Sequence, residues 1–178
     1  MKTLLSLLLV ITVSLSSFSQ TDPYSDDVKT CIKQNGTYDY YADVVDQMFT
    51  MLKQQYANKK VPSSVWKEVE TVKSGSMDEL SQMLVSAYRG YFSHDDVKKM
   101  NALYTSDAGQ KMVNDAQNLS ESDKVVLSQF YESDTGQKIL ASQDEMNKLM
   151  SKISEMWSSD MYRNVVSQLS EKGFTLEQ

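Results

Sequence analysis

Arginine, histidine and cysteine are all scarce in this 178-residue sequence, and each scarcity excludes a class of function. The only two arginines are Arg89 and Arg163, so the sequence has almost no material for bidentate phosphate recognition. The chain has 18 basic and 24 acidic residues, which gives a formal net charge of −6 at pH 7. Nucleic acids and anionic membrane surfaces are bound by clustered Lys and Arg, so we expect neither as a partner.

The single histidine restricts metal and catalytic chemistry. His94 stands beside Asp95 and Asp96, the one place in the sequence where histidine and carboxylates meet. A zinc site needs three or four converging ligands, and acids at a helix start explain this cluster without a metal. A Gly-x-Ser-x-Gly nucleophile elbow is also missing. We therefore expect no catalytic residue, no metal and no cofactor, with a hydrolase that lacks a recognisable motif as the alternative.

The single cysteine, Cys31, excludes an intramolecular disulfide. It lies in the short amphipathic stretch 28–32, and free cysteine is among the most buried residue types. We therefore expect Cys31 to be buried as a small hydrophobic residue, with a functional thiol as the alternative.

Residues 1–19 have the pattern of a secretory signal. Lys2 precedes an apolar run over residues 4–13, and the small residues of Ser17-Phe18-Ser19 form the site that a signal peptidase reads. A membrane helix needs about 20 apolar residues, which is roughly twice this run; an uncleaved N-terminal anchor is the alternative. The pattern predicts a periplasmic or secreted protein, cleaved after its signal, in which residues 20–178 form one domain without a membrane span.

Apolar residues in the rest of the chain recur at spacings of three and four, which is the helical period. No alternating strand pattern exceeds a few residues. We therefore predict an all-α bundle of about six to eight helices, preceded by a loose tether over residues 20–27. The clearest helices are expected over residues 26–34 with a stop at Asn35-Gly36, from a cap at Thr37 to Tyr56, around Val65, Trp66 and Val69 with an end near Ser74-Gly75, from Ser76 to Tyr91, from Ser93 to Tyr104, and over residues 134–172 with a weak point at Ser158-Ser159-Asp160 and a glycine cap at Gly173.

Two of these helix starts carry strong local signals. Ser76 and Glu79 have the spacing of a capping box, in which each side chain takes a free backbone donor of the other residue. Ser93 is a second cap, and Phe92 and Val97 are placed to form a hydrophobic staple across it. Both helices are therefore expected to begin at their serines.

The strongest signal in the sequence is a repeat. Residues 104–111 recur as residues 131–138, with six of eight positions identical at an offset of 27 residues. The similarity extends outward, so that copy 1 spans residues 93–113 and copy 2 spans residues 120–140. The shared motif positions are Tyr104, Ser106, Asp107, Gly109, Gln110 and Lys111 in copy 1, and Tyr131, Ser133, Asp134, Gly136, Gln137 and Lys138 in copy 2.

We interpret each copy as a helix, a tight bend and a second helix. Ser106 or Ser133 caps the second helix, and the aspartate that follows lies in its first turn, where the helix dipole favours negative charge. Glycine is a poor helix former, so its presence in both copies predicts that a neighbouring helix packs against its bare backbone. Gly109 and Gly136 could also pack on each other, and a ligand site at the motif is the alternative.

The pattern apolar-Tyr-x-Ser-x-x-Gly-Gln-Lys after a capped acidic helix resembles the bacterial family catalogued as domain of unknown function 2059. The resemblance covers roughly residues 62–145. It implies an exported helical protein, and it supplies no catalytic residues because the family has no established activity. Members often carry proline after the motif serine, whereas Asp107 and Asp134 stand there in this chain.

Methionine and tyrosine, by contrast, are abundant, with 11 and ten residues. Most of them lie on the predicted inner stripes, where core packing is the ordinary explanation. Two functions remain: a non-catalytic interaction or envelope-associated module that binds an unknown protein, and a binder of a small apolar or lipid-like molecule in a Met- and Tyr-lined groove. A contiguous apolar pocket of several hundred cubic ångströms favours the binder; a filled bundle with one exposed apolar patch favours the module.

Overall fold

A computed structural model describes residues 22–176, and all regular structure in this range is helical. It holds eight α-helices and two short 3-10 turns at Ala57–Lys59 and Ala116–Asn118. The α-helices are α1 Pro23–Gln34, α2 Thr37–Gln55, α3 Ser63–Val69, α4 Val72–Tyr91, α5 His94–Tyr104, α6 Asp107–Asn114, α7 Glu121–Glu132 and α8 Asp134–Glu171. The all-α prediction is confirmed, while the signal predicted over residues 1–19 lies outside the described residues.

Helix α8 is the longest helix and packs against several of the others. Its second half buries a stripe against α4 and neighbouring helices, made of Ile153, Trp157, Met161, Val165 and Leu169. The Trp157 indole also donates a hydrogen bond of 2.7 Å to the Ser76 carbonyl in α4. This burial carries the helix unbroken through the predicted weak point at residues 158–160. Gly173 follows the helix with a φ of 87°, as expected of a C-terminal cap glycine.

The start of the described chain differs from the sequence prediction. Residues 23–27 are not a tether, because α1 already begins at Pro23. The Asp22 side chain accepts a hydrogen bond from the Tyr24 N–H, and proline suits the first helical position. Buried Tyr24 and Val28 then hold this first turn against the bundle, so local capping and core packing together extend the helix upstream.

Two predicted helix starts are wrong. The cap of α2 is Gly36, with a φ of 79°, and Thr37 is already helical. Helix α3 ends at Val69 and not near Ser74-Gly75 as predicted. Helix α4 already begins at Val72, so Ser76 lies inside it with 5% of its surface exposed. A capping box is a local preference, and the buried contacts of Met77 and the Trp157 hydrogen bond to Ser76 override it.

Among the described residues, no helix is both long enough and apolar enough to cross a membrane. Cys31 is fully buried in the main core, as the sequence predicted. Its burial raises the pKa of the thiol to about 12. The thiol therefore stays protonated, and Cys31 acts as a core residue beneath Tyr88.

Candidate functional site

The serines of the two copies cap their second helices in the same way. The Ser106 hydroxyl oxygen accepts from the Gly109 N–H at 3.1 Å, and that of Ser133 accepts from the Gly136 N–H at 3.2 Å. Each hydroxyl also donates, over 2.6 Å, to a carbonyl at the end of the preceding helix. A single side chain thus joins both sides of each bend, and no extra turn of chain separates the two helices.

The motif glutamines close the other side of the bend. The Gln110 amide donates to the Tyr104 carbonyl, and the Gln137 amide donates to the Tyr131 carbonyl at 2.7 Å. Carbonyls at the end of a helix have no partner within it. The glutamine of the second helix therefore satisfies the last turn of the first one, and this explains its place in the motif.

The glycines allow the two backbones of each bend to approach. A Cβ atom on Gly109 would overlap the Leu103 carbonyl oxygen and lie 2.8 Å from the Leu103 carbonyl carbon. A Cβ on Gly136 would meet the end of α7 in the same way, 2.8 Å from the carbonyl carbon of Tyr131. The expected close packing exists, but its partner is the preceding helix of the same copy. The nearest atoms to either position do not belong to the other glycine, as the sequence had suggested they could.

The lysines and the capping aspartates join the two copies to each other. Asp96 and Asp123 occupy equivalent positions, and each forms a capping box with the serine that precedes its helix. Lys111 of copy 1 binds Asp123 of copy 2 at 2.8 Å, and Lys138 of copy 2 binds Asp96 of copy 1 at 2.5 Å. The exchange is reciprocal, which is the relation found across a two-fold interface.

Asp96 has one partner more than Asp123. The Thr135 hydroxyl donates to Asp96 over 2.8 Å, and the equivalent position in copy 1 is Ala108, which has no hydroxyl. Burial alone would raise the pKa of Asp96, but the hydrogen bonds from Lys138, Ser93 and Thr135 outweigh it and hold the pKa well below its ordinary value. Asp107 and Asp134, which follow the motif serines, lie exposed in the first turns of α6 and α8.

The motif tyrosines face a common groove between the copies. We call it the tyrosine groove; it has a volume of about 570 Å³ and lies between α5, α7, the end of α4 and the first half of α8. Its walls are formed by Tyr88, Phe92, Met100, Tyr104, Tyr131, Ile139, Leu140, Ser142, Gln143, Met146 and Asn147. Burial raises the pKa of Tyr104, and the adjacent Tyr131 hydroxyl raises it further, so the Tyr104 phenol is neutral at ordinary pH.

A second depression continues the tyrosine groove along α8. It has a volume of about 450 Å³ and shares Tyr88, Met146 and Asn147 with the groove. Its other walls include Asn35 and Thr37 at the junction of α1 and α2. The two depressions therefore adjoin each other at these three residues, and we call the pair the channel.

The histidine and its neighbouring acids point to separate partners. The His94 Nε2 atom lies 2.6 Å from an Asp27 carboxylate oxygen, and Asp95 pairs with Lys99 at 2.7 Å. Asp96 faces Lys138 instead. Within residues 22–176, no group of three His, Cys, Asp or Glu side chains is close enough to hold a metal ion.

Sequence reasoning found the motif and offered a Met- and Tyr-lined groove as one alternative, but it did not locate the groove. The wall residues of α8 lie between Gly136 and Ile153, a stretch in which no residue is fully buried. Leu140, one of the apolar residues in this stretch, is 49% exposed. The available signal was that α8 carries apolar residues through a stretch over which no other helix packs. That signal can be recognised only once the packing of the two copies is known.

Comparison with known proteins shows that both copies match the model of a bacterial family. The model of the family described as "uncharacterized protein conserved in bacteria (DUF2059)" matches the chain twice, over residues 78–122 and 116–162. Each match contains one complete copy, and together they begin and end further along the chain than the sequence resemblance suggested. No curated protein and no solved structure matches this chain.

Proposed function

We propose that this chain, whose residues 78–162 belong to the bacterial family of domain of unknown function 2059, is a non-catalytic carrier of a small apolar or lipid-like molecule. The tyrosine groove is its binding site. The observation that carries the proposal is that the motif tyrosines of both copies, Tyr104 and Tyr131, line one open groove of about 570 Å³. The serines, glycines, glutamines and lysines of the motif each have a partner within the protein, and the Tyr131 hydroxyl donates to Met112 Sδ at 3.8 Å. The aromatic rings of the two tyrosines are therefore the part of the motif that lines open space.

The size and chemistry of the groove support this proposal. Small-molecule sites typically have volumes of about 300–1,000 Å³ and mostly apolar walls with a few polar groups. Met100 and Met146 adapt their shape to irregular apolar ligands. The tyrosines add rigid apolar faces with one polar end. A contiguous apolar pocket is also the feature that separates a binder from an interaction module.

An interaction module is the second candidate. Val125 and Val126 on α7 are 55% and 43% exposed, which is a high exposure for two adjacent apolar side chains. A protein partner would cover this face of α7 rather than enter the groove. Loss of binding to a native partner after Val125→Ser and Val126→Ser, with the groove intact, would support this candidate instead.

Export is the other part of the proposal, and it is supported by the pattern of residues 1–19. We expect the protein in the periplasmic or secreted fraction to begin at Gln20. Intact mass spectrometry of that fraction measures the N-terminus directly. Exported material that retains residues 1–19 would contradict the cleavage, and protein confined to the cytoplasm would contradict export.

Filling the tyrosine groove is expected to weaken ligand binding strongly. Ser142 lines the groove, and its hydroxyl donates to the carbonyl four residues earlier. Ser142→Trp should lower the affinity for the neutral fluorescent probe N-phenyl-1-naphthylamine at least about tenfold, which corresponds to roughly 1.4 kcal/mol of binding free energy. Ser151→Trp is the matched control, because Ser151 makes the same backbone hydrogen bond on α8 but is exposed outside the groove.

Fluorescence titration of the three proteins distinguishes the outcomes. The parent and Ser151→Trp should bind the probe alike, and circular dichroism should show equal helicity for all three. Equal probe affinity in Ser142→Trp would mean that the groove is not the binding site. Native mass spectrometry of protein purified without detergent would then show whether any apolar molecule is retained elsewhere.

A further inference from the structure

The channel formed by the tyrosine groove and its neighbouring depression has no charged walls. Of the described residues that line either part, none is Asp, Glu, Lys, Arg or His. Charged residues make up 24% of the chain. Three other surface depressions contain them, with Asp43 and Asp46 in one, Lys53 in another, and Lys29 with Arg89 in a third. The lack of charge therefore belongs to this channel and not to concave surface in general.

The two ends of the channel differ in polarity. Ile139 and Leu140 form an apolar wall at one end, and Asn35 and Thr37 stand at the other. From Leu140 to Met150 the channel follows α8 over about 15 Å, at 1.5 Å of rise per residue. This length suits an extended alkyl chain with its polar head at the second end.

The polar end has free hydrogen-bonding capacity. Within residues 22–176, neither the side chain of Asn147, where the two depressions meet, nor that of Thr37, in the second depression, makes a hydrogen bond with the protein. An asparagine amide offers both donors and an acceptor, and a threonine hydroxyl offers the same pair of roles. Groups of this kind bind hydroxyl-bearing heads, which also donate and accept. A carboxylate or phosphate, in contrast, is normally paired with Lys or Arg when it leaves water.

We infer that the channel takes a neutral single-chain amphiphile, with its alkyl tail in the tyrosine groove and an uncharged hydroxyl-bearing head beside Asn147 and Thr37. The inference rests on the proposed function and narrows its ligand class. An anionic head would lie against uncharged walls with no cationic partner. The net charge of −6 on the chain opposes it further.

Two ligands with the same twelve-carbon tail test the head group. Monolaurin has a neutral glycerol head, and laurate has a carboxylate that is ionised at pH 8. Both should be titrated below their micelle-forming concentrations against the purified protein loaded with N-phenyl-1-naphthylamine. We expect monolaurin to displace the probe at a concentration at least about tenfold lower than laurate, because only the carboxylate loses water without gaining a charged partner.

A charge introduced at the polar end should reverse this preference. Asn147→Lys places a cation beside the expected head and should lower the laurate concentration needed for displacement by about tenfold. Asn147→Gln keeps the neutral amide and should retain the preference for monolaurin. Asn164→Lys makes the same change in net charge at an exposed position on α8 outside the channel, and it should leave both ligands unaffected.

The outcomes separate this inference from the proposed function. Displacement by laurate at the same or a lower concentration than monolaurin, in the parent protein, would overturn the neutral head while leaving the groove as the site. An equal effect of Asn164→Lys and Asn147→Lys would also overturn it, because the gain would then come from net charge alone. If neither monolaurin nor laurate displaces the probe from the parent protein, and Ser142→Trp binds the probe as tightly as the parent does, both proposals would be overturned.

Discussion

Gly109→Ala and Gly136→Ala are each expected to lower the free energy of unfolding by about 1–3 kcal/mol, the usual cost of overpacking. The new methyl group would meet backbone atoms of the preceding helix, at Leu103 or Tyr131, rather than a side chain that can rotate away. Serine and glutamine hydrogen bonds hold the two helices of each bend together, so the helices cannot separate without losing them. The gain from helix propensity is at most about 1 kcal/mol and does not offset this cost. Leucine at either site should be worse.

Two other glycines provide matched controls. Gly75 and Gly90 also lie within a helix, α4, and a Cβ at either position would have no atom within 4 Å apart from the chain neighbours and the local backbone of α4 itself. Alanine there should leave stability unchanged or raise it by up to about 1 kcal/mol. Denaturant melts followed by circular dichroism measure all four variants. Motif variants as stable as the α4 variants would show that the glycines are tolerated rather than required.

Asp96→Ala is expected to destabilise the protein by about 3 kcal/mol, because it removes several hydrogen bonds to one carboxylate. The change leaves the Thr135 hydroxyl, which is 1% exposed, without its acceptor, and it opens the capping box with Ser93. It also removes one of the two ion pairs between the copies. Asp123→Ala should cost less, since Asp123 has no equivalent of the threonine. Asp95→Ala should stay near the parent, because Asp95 is exposed and pairs only with Lys99.

The contribution of Asp96 should also depend on pH. Its pKa in the folded protein is held below the ordinary value of 3.8, so the carboxylate contributes stability that is fully present above that value. Stability from this group is lost as pH falls from about 4 toward the lower folded pKa. The difference in unfolding free energy between the parent and Asp96→Ala should therefore be constant from pH 7 to about pH 5 and shrink below pH 4. A difference that does not change with pH would mean that the charge of Asp96 is not what matters.

Local signals were the part of the fold that sequence could predict. The caps at Ser93, Ser106 and Ser133 depend on residues no more than three positions away, and all three are present in the structure. The same reasoning failed at Ser76. There the contacts of α4 with α8, more than 70 residues distant, decide where the helix begins.

The candidate site depends on how the two copies meet, which a repeat alone does not specify. The spacing of Asp96 and Lys111 permits an ion pair within a copy as readily as one across copies. In the structure the ion pair forms across the copies, with Lys111 bound to Asp123. The groove follows from that choice, because crossing the copies brings Tyr104 and Tyr131 together. Sequence therefore identified the motif tyrosines but could not predict that they share one surface.

Because the ion pairs are reciprocal, the two copies pack like the two subunits of a dimer, although they belong to one chain. Each copy contributes one aspartate and one lysine, and each of these side chains pairs with a residue of the other copy. A molecule with one copy would need a second molecule to complete both pairs, and its assembly would rise and fall with concentration. Here residues 114–119 join the copies, so the encounter is intramolecular and its effective concentration is set by a six-residue connection. The pairing, and the groove that depends on it, should therefore persist at any dilution.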